Sequence, residues 1–152
     1  MIYALMTAAL ILSPETDIRV SPGAAIDTMH AAASRADGAT YFGTFTADAR
    51  FIGTDAGERW SLAEFKAYAE PYFARGQGWT YRVTDRHLEI LDQPCQCVAV
   101  FDELLDNDSY GQVRGSGVVV KQGDGWKIQQ YVLSFTVPND KARDVVAAIK
   151  AD

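Results

Sequence analysis

The stretch Gln96–Val137, QCVAVFDELLDNDSYGQVRGSGVVVKQGDGWKIQQYVLSFTV, decides the fold. Runs rich in Val, Phe, Leu and Tyr are broken twice by turn formers, first around Asp106-Asn107-Asp108-Ser109 and then at Gly123-Asp124-Gly125. That pattern belongs to successive antiparallel strands. It predicts strands over Gln96–Asp106, Gln112–Gln122 and Trp126–Val137, and the preceding run Trp79–Leu91 adds a fourth.

Side chains alternate along a strand, so a turn of known length fixes which residues face each other. Taking Asp108-Ser109 as a two-residue loop pairs Glu103 with Arg114, Phe101 with Ser116 and Ala99 with Val118. A three-residue loop at Gly123-Asp124-Gly125 pairs Val120 with Ile128, Val118 with Gln130, Ser116 with Val132 and Arg114 with Ser134. Together these place Ala99, Phe101, Glu103, Arg114, Ser116, Val118, Gln130 and Val132 on one face, apolar at one end and polar at the other. Gly115 and Gly117 on the opposite side look more solvent-facing, so the first face is expected to receive the helices. If Leu91 lies opposite Gln96, then Arg86, Leu88 and Ile90 join that face, with a bulge near Thr84–Arg86.

Upstream of the strands the pattern is helical. Ser21-Pro22 reads as an N-cap with proline at the first helical position. Ile26, Met29, Ala33 and Ala36 then mark an apolar face, and Gly38 is a natural stop. A short helix over about Ala39–Phe45 and a strand over Arg50–Gly53 follow. Ser61-Leu62-Ala63-Glu64 fits a capping box, with Trp60 and Phe65 as a hydrophobic staple. The helix it opens runs through Tyr68 and Tyr72 to Gly76, with a kink expected at Pro71. Asn139 is expected to cap a last helix carrying Val145, Val146 and Ile149. Helices first and a long meander afterwards mean an α+β domain with its helices on one face of the sheet.

The whole chain of 152 residues fits one domain, divided into an apolar segment and linker over 1–20 and a folded part over 21–152. Ile2–Leu12 is too short to span a bilayer; it reads either as a signal-peptide core or as a short packed helix, so exported and cytoplasmic locations both stand. A net charge of −6, with scattered basic residues, argues against a nucleic-acid surface. Cys95 and Cys97, placed in a strand, would point to the same side, a poor geometry for a mutual disulfide. They read as small buried side chains, and no metal site or cofactor is expected, since zinc needs about four ligands.

The segments from Ser34-Arg35-Ala36-Asp37-Gly38 to Phe45-Thr46-Ala47-Asp48-Ala49-Arg50-Phe51, then Gly115-Ser116-Gly117-Val118 and Gly125-Trp126-Lys127-Ile128, resemble the SnoaL-like branch of the nuclear-transport-factor-2-like superfamily. The resemblance covers about residues 24–137. It implies a cone-shaped domain, a curved antiparallel sheet with helices on its concave face, a pocket between the two layers, and frequent homodimers. It implies no single function, since members include isomerases, cyclases, hydrolases, dehydratases, binding proteins and association domains. Many relatives carry a histidine where this chain has Gln130, which cannot act as a general base.

Glu103 and Arg114 are the leading polar pair, read either as a pocket carboxylate oriented by a guanidinium or as a structural cross-strand ion pair. His30, beside the apolar face of the first helix, is a ligand contact or a satisfied buried histidine. His87 reads equally as a plain strand residue. Trp60, Tyr68, Tyr72, Trp79 and Phe101 are candidate walls of an apolar cavity, and Ser116, Gln130 and Val132 come with the face. Arg86 with Arg114 and Glu103 would set two cations against one anion, which favours an anionic ligand unless Arg86 is paired by its own neighbours. The expected function is a pocket for a small, partly apolar organic molecule. The alternatives are a cofactor-independent acid–base enzyme (lyase, isomerase or hydrolase) and an association domain. A homodimer is expected through an outer face bearing Val119, Tyr131, Leu133 and Phe135.

Overall fold

The computed structural model describes residues 21–151; Ile2–Leu12, with its two readings, lies outside the described residues. Two helices, α1 (Pro22–Ser34) and α2 (Gly38–Gly43), lead into β1 (Phe45–Ile52), β2 (Arg59–Ser61) and α3 (Leu62–Phe73). The meander follows as β3 (Arg82–Ile90), β4 (Val98–Asn107), β5 (Gly111–Gln122) and β6 (Gly125–Phe135). A 3-10 turn over Asn139–Lys141 and α4 (Ala142–Ile149) close the described chain. The strands form one curved sheet in the order β2-β1-β6-β5-β4-β3. Its β3–β6 portion is antiparallel, but β1 runs parallel to β6, so the sheet is mixed rather than wholly antiparallel. The Ile128 N–H bonds to the Thr44 carbonyl at 2.8 Å, locking the α2–β1 junction onto β6.

Local chemistry explains the helix starts. The Ser21 hydroxyl accepts the Ala24 N–H at 3.1 Å. At α3 the Ser61 hydroxyl accepts the Glu64 N–H at 3.3 Å while Glu64 Oε2 accepts the Ser61 N–H at 2.8 Å, and the Trp60 ring stacks on Phe65 at 5.5 Å. The helix ends differ from expectation. Ala36, not Gly38, takes the left-handed conformation after α1 (φ 55°), and Gly38 instead opens α2 behind an Asp37 cap. Asn139 does not cap α4; it begins the 3-10 turn that precedes it.

The largest departure from the expected register lies in the β4–β5 hairpin. The Asn107 side-chain oxygen accepts the N–H groups of Ser109 and Tyr110, each at 3.0 Å, and Gly111 takes a left-handed φ of 68°. The loop is therefore Asp108–Tyr110, one residue longer than expected, with Asn107 opposite Gly111. A one-residue slip turns every side chain of a strand to the other face. Glu103 consequently lies opposite Gly115 and Leu104 opposite Arg114, so Glu103 and Arg114 point to opposite sides of the sheet.

Between β5 and β6 the expected pairs Val118–Gln130, Ser116–Val132 and Arg114–Ser134 all occur. The turn itself is the two-residue Gly123-Asp124, and a register shift between Val118 and Val119 absorbs the difference. Arg86 faces Glu103 and Leu88 faces Phe101 as expected, with an irregularity between Val83 and Asp85, although Leu91 bonds to Val98 rather than facing Gln96.

The helices thus cover the side bearing Val113, Gly115, Val119, Ile128, Tyr131 and Leu133, while Arg114, Ser116, Val118, Gln130 and Val132 lie on the outer side. Val119, Tyr131 and Leu133 are buried in the core, not outward, and Phe135, opposite Val113, lies on that same side at its exposed edge, 5.2 Å from the Tyr110 ring. Tyr41 anchors that core, its ring 5.1 to 6.1 Å from those of Phe42, Phe45, Phe65, Phe73 and Trp79. Cys95 and Cys97 form a disulfide, with Cα atoms 5.1 Å apart. They sit in the β3–β4 loop rather than a strand, and Gln96 between them takes a left-handed φ of 46° that turns the two side chains together.

Candidate functional site

Two compartments lie between the helices and the sheet. The first is an open cleft of about 330 Å³. The β1–β2 hairpin contributes Phe51, Glu58 and Trp60; α3 contributes Phe65, Tyr68 and Tyr72. The segment before β3 adds Trp79 and Tyr81, the β4–β5 loop adds Asn107, Ser109 and Tyr110, and Leu133 of β6 reaches the floor. The rings are arranged in layers: Phe51 stacks on Phe65 at 3.9 Å and 12°, and Trp60 stacks on Tyr68 at 4.9 Å. Tyr68 and Tyr110 are each 50% exposed, which leaves ring surface available at the mouth.

The second compartment is a buried polar cluster centred on Glu103, which is 0% exposed. Its Oε1 accepts hydrogen bonds from His30 Nε2 at 2.7 Å and the Tyr131 hydroxyl at 2.9 Å. Its Oε2 accepts Arg86 Nε at 2.8 Å, and Arg86 Nη1 in turn donates to Asp27 Oδ1 at 2.7 Å. Gly115 makes this approach possible, because a Cβ there would collide with the Tyr131 hydroxyl. Burial raises the Glu103 pKa, but hydrogen bonding and charge from His30 and Arg86 outweigh it and hold the carboxyl below its ordinary value. An ionised carboxylate can only accept, so His30 Nε2 carries the proton it donates. Burial, then the neighbouring Glu103 charge, pushes the Tyr131 phenol well above its ordinary value.

The compartments adjoin without merging. Tyr131 stacks on Phe51 of the cleft at 5.8 Å, and the His30 ring lies 6.5 Å from that of Tyr81, which burial pushes up to a pKa of about 12. Trp60, Tyr68, Tyr72 and Trp79 come together in the cleft. Glu103, His30 and Arg86 come together in the cluster, with Phe101 packed near Tyr131 at 5.9 Å. Arg114, Ser116, Gln130 and Val132 reach neither compartment, since they lie on the outer side of the sheet. His87 is exposed and pairs with Asp85 at 3.2 Å. Arg86 is matched by Glu103 and Asp27, so the imbalance of two cations against one anion does not exist.

Tyr131, Asp27, Tyr81, Tyr110 and Glu58 escape the sequence reading. Tyr131 shares a side with Glu103 only in the observed register, for which the turn chemistry of Asn107 is the signal in the sequence. Among the described residues no group of three His, Cys, Asp or Glu side chains could hold a metal ion, and no helix is long and apolar enough to cross a membrane.

A mixed, curved sheet with helices on its concave side and a cleft between the layers defines a cone-shaped α+β pocket domain. The chain belongs to the SnoaL-like domain family, whose model matches residues 23–138. A candidate dehydratase of the nuclear transport factor 2-like family from Streptomyces avermitilis is similar in structure, with a TM-score of 0.64 at 18% identity, over 83% of this chain and 100% of that one. A candidate ketosteroid isomerase from Shewanella frigidimarina gives 0.59 at 20% identity, over 78% and 97%. A candidate calcium/calmodulin-dependent protein kinase II association domain from Xanthomonas campestris gives 0.55 at 21%, over 75% and 84%. These likenesses establish the fold. No curated protein matches the chain significantly.

Proposed function

We propose that the domain binds a small, largely apolar organic molecule in the aromatic cleft. The carrying observation is the ring surface left uncovered there, with Tyr68, Tyr72 and Tyr110 exposed around an interior of about 330 Å³. Concave sites with apolar walls and few polar groups are where small ligands bind. Trp60 and Trp79 line the cleft while Trp126 is buried in the core, so intrinsic fluorescence reports on occupancy. Soluble single-ring compounds should quench that emission saturably, and Trp60→Phe should remove most of the response. Absence of saturation by any probe up to about 1 mM, equivalent to roughly −4 kcal/mol, would refute the proposal.

One observation also favours a cofactor-independent acid–base enzyme. Glu103 fixes the orientation of His30, whose ring lies 6.5 Å from that of Tyr81 in the cleft wall, so a carboxylate–imidazole pair stands one ring away from a bound molecule. A ligand in the cleft should then shift the ring-proton resonances of His30 in an NMR titration; unchanged resonances would leave His30 a structural partner of Glu103.

We also propose a homodimer through the outer sheet face, where Val100, Val118, Val120 and Val132 now stand in place of the residues first expected there. Light scattering at micromolar concentration tests it, and a monomer would refute it.

A further inference from the structure

The charge of the cleft walls says more about the ligand than their apolarity does. No Lys, Arg or His is among the residues that line it, and Glu58 is the one carboxylate among them. The carboxylate is positioned by the β1–β2 turn, with Oε2 accepting the Asp55 N–H at 3.2 Å. Its charge reaches the ring opposite: burial, then neighbouring Tyr72 and Glu58, raises the Tyr68 phenol. Trp60, Tyr68, Tyr72, Trp79, Tyr81 and Tyr110 line the same cleft, and aromatic ring faces carry the negative lobe of a quadrupole.

The Arg75 guanidinium sits over Tyr72, 5.2 Å from the ring centroid, and takes up that face, so a ligand's charge is left to the other rings of the cleft. Arg82, at the start of β3, is paired with Asp106 and Asp108. The net charge of −6 adds a long-range pull of the same sign.

We infer that the cleft selects an organic cation, a single-ring or similarly sized apolar amine or quaternary ammonium whose charge lies among the tyrosines beside Glu58. This rests on the small-molecule reading above and narrows it. Both contributions act together: aromatic faces attract an onium group, and a partly buried carboxylate adds direct attraction. The cleft therefore discriminates against carboxylates of the same size, which reverses the anion preference suggested by the sequence.

The test is calorimetric titration of the full chain with three probes of similar shape: phenethyltrimethylammonium, 4-phenylbutan-2-one and 3-phenylpropanoate. The cation should bind about tenfold more tightly than the ketone, and the propanoate most weakly. Glu58→Gln should cut cation affinity by about fivefold and leave the ketone unchanged. Tyr68→Leu, at a half-exposed position, should likewise reduce the preference for the cation. A ketone that binds as tightly as the cation, or a preference that survives both substitutions, would overturn the cation assignment while leaving the binding site in place. If none of the three binds, the small-molecule reading falls with it.

Discussion

Glu103 and Glu58 are two carboxylates on the helix-covered side of one sheet, and they live in opposite conditions. Glu103 is fully buried and accepts from His30, Tyr131 and Arg86, so its capacity is spent within the protein. Glu58 is half-buried at the mouth of a cleft and accepts a single backbone N–H from Asp55. A buried charge is tolerated only where partners replace its water, whereas a carboxylate with spare acceptor sites beside open rings can still recognise something. The cluster therefore bears chiefly on stability and the cleft on binding, and substitutions in each should separate along that line.

The largest expected effect is at Glu103. Glu103→Gln keeps the shape but replaces one acceptor oxygen with an N–H₂ facing a donor, and leaves Arg86 with Asp27 alone. Breaking a buried pair in this way should cost about 3 kcal/mol, read by urea denaturation. Its pH dependence has a definite sign. Because the folded Glu103 pKa is lowered, its contribution is complete above the ordinary carboxylate range and is lost as pH falls through the folded value. Glu103→Gln should flatten the acid side of the stability profile. An unchanged acid limb would mean that other carboxylates control it.

Gly115→Ala is next. The added methyl would press on the Tyr131 hydroxyl and on Glu103 Oε1, both ends of one hydrogen bond. Either end is free to move in principle, but both side chains are enclosed, so a loss of about 1–3 kcal/mol is expected. The melting temperature checks it, and a neutral result would show that the cluster can repack around a methyl.

These two sites also show how far the sequence could be read. The helix starts at Ser21 and Ser61, the staple, the β3–β6 succession and the α+β class follow from contacts within a few residues. The capping box at Ser61 and Glu64 forms as expected, whereas the Gly38 stop and the Asn139 cap do not. The cleft aromatics on α3 were legible because a helix fixes its own faces. The polar cluster was legible only in part: Arg86 and Glu103 share a face as expected, but Tyr131 and Asp27 were not joined to them, because the partners come from α1, β3, β4 and β6 and depend on a chain of registers. One additional loop residue, stabilised by Asn107 and Gly111, reversed β5 and exchanged Arg114 for Gly115 as the neighbour of Glu103. The parallel β1–β6 pairing was hidden for a similar reason, since it joins segments far apart in the chain with no turn between them to set the register.

The smallest stability effect is expected at Tyr68, where the comparison is sharpest. Its side chain is half-exposed, stacks on Trp60 at 4.9 Å and lies 5.6 Å from the Tyr72 ring. Leucine is a good helix former and retains part of the contact with Trp60, so the folded state loses some stacking and no buried polar bond. Tyr68→Leu should therefore shift stability by less than about 0.5 kcal/mol, as surface substitutions usually do. Yet the same change removes one wall of the cleft and should weaken binding of a single-ring cation by several-fold. Calorimetric titration beside thermal melting of the same sample reads both quantities. A variant that melts early would tie the cleft to the core as closely as Glu103 is tied, and the division between the two compartments would fail.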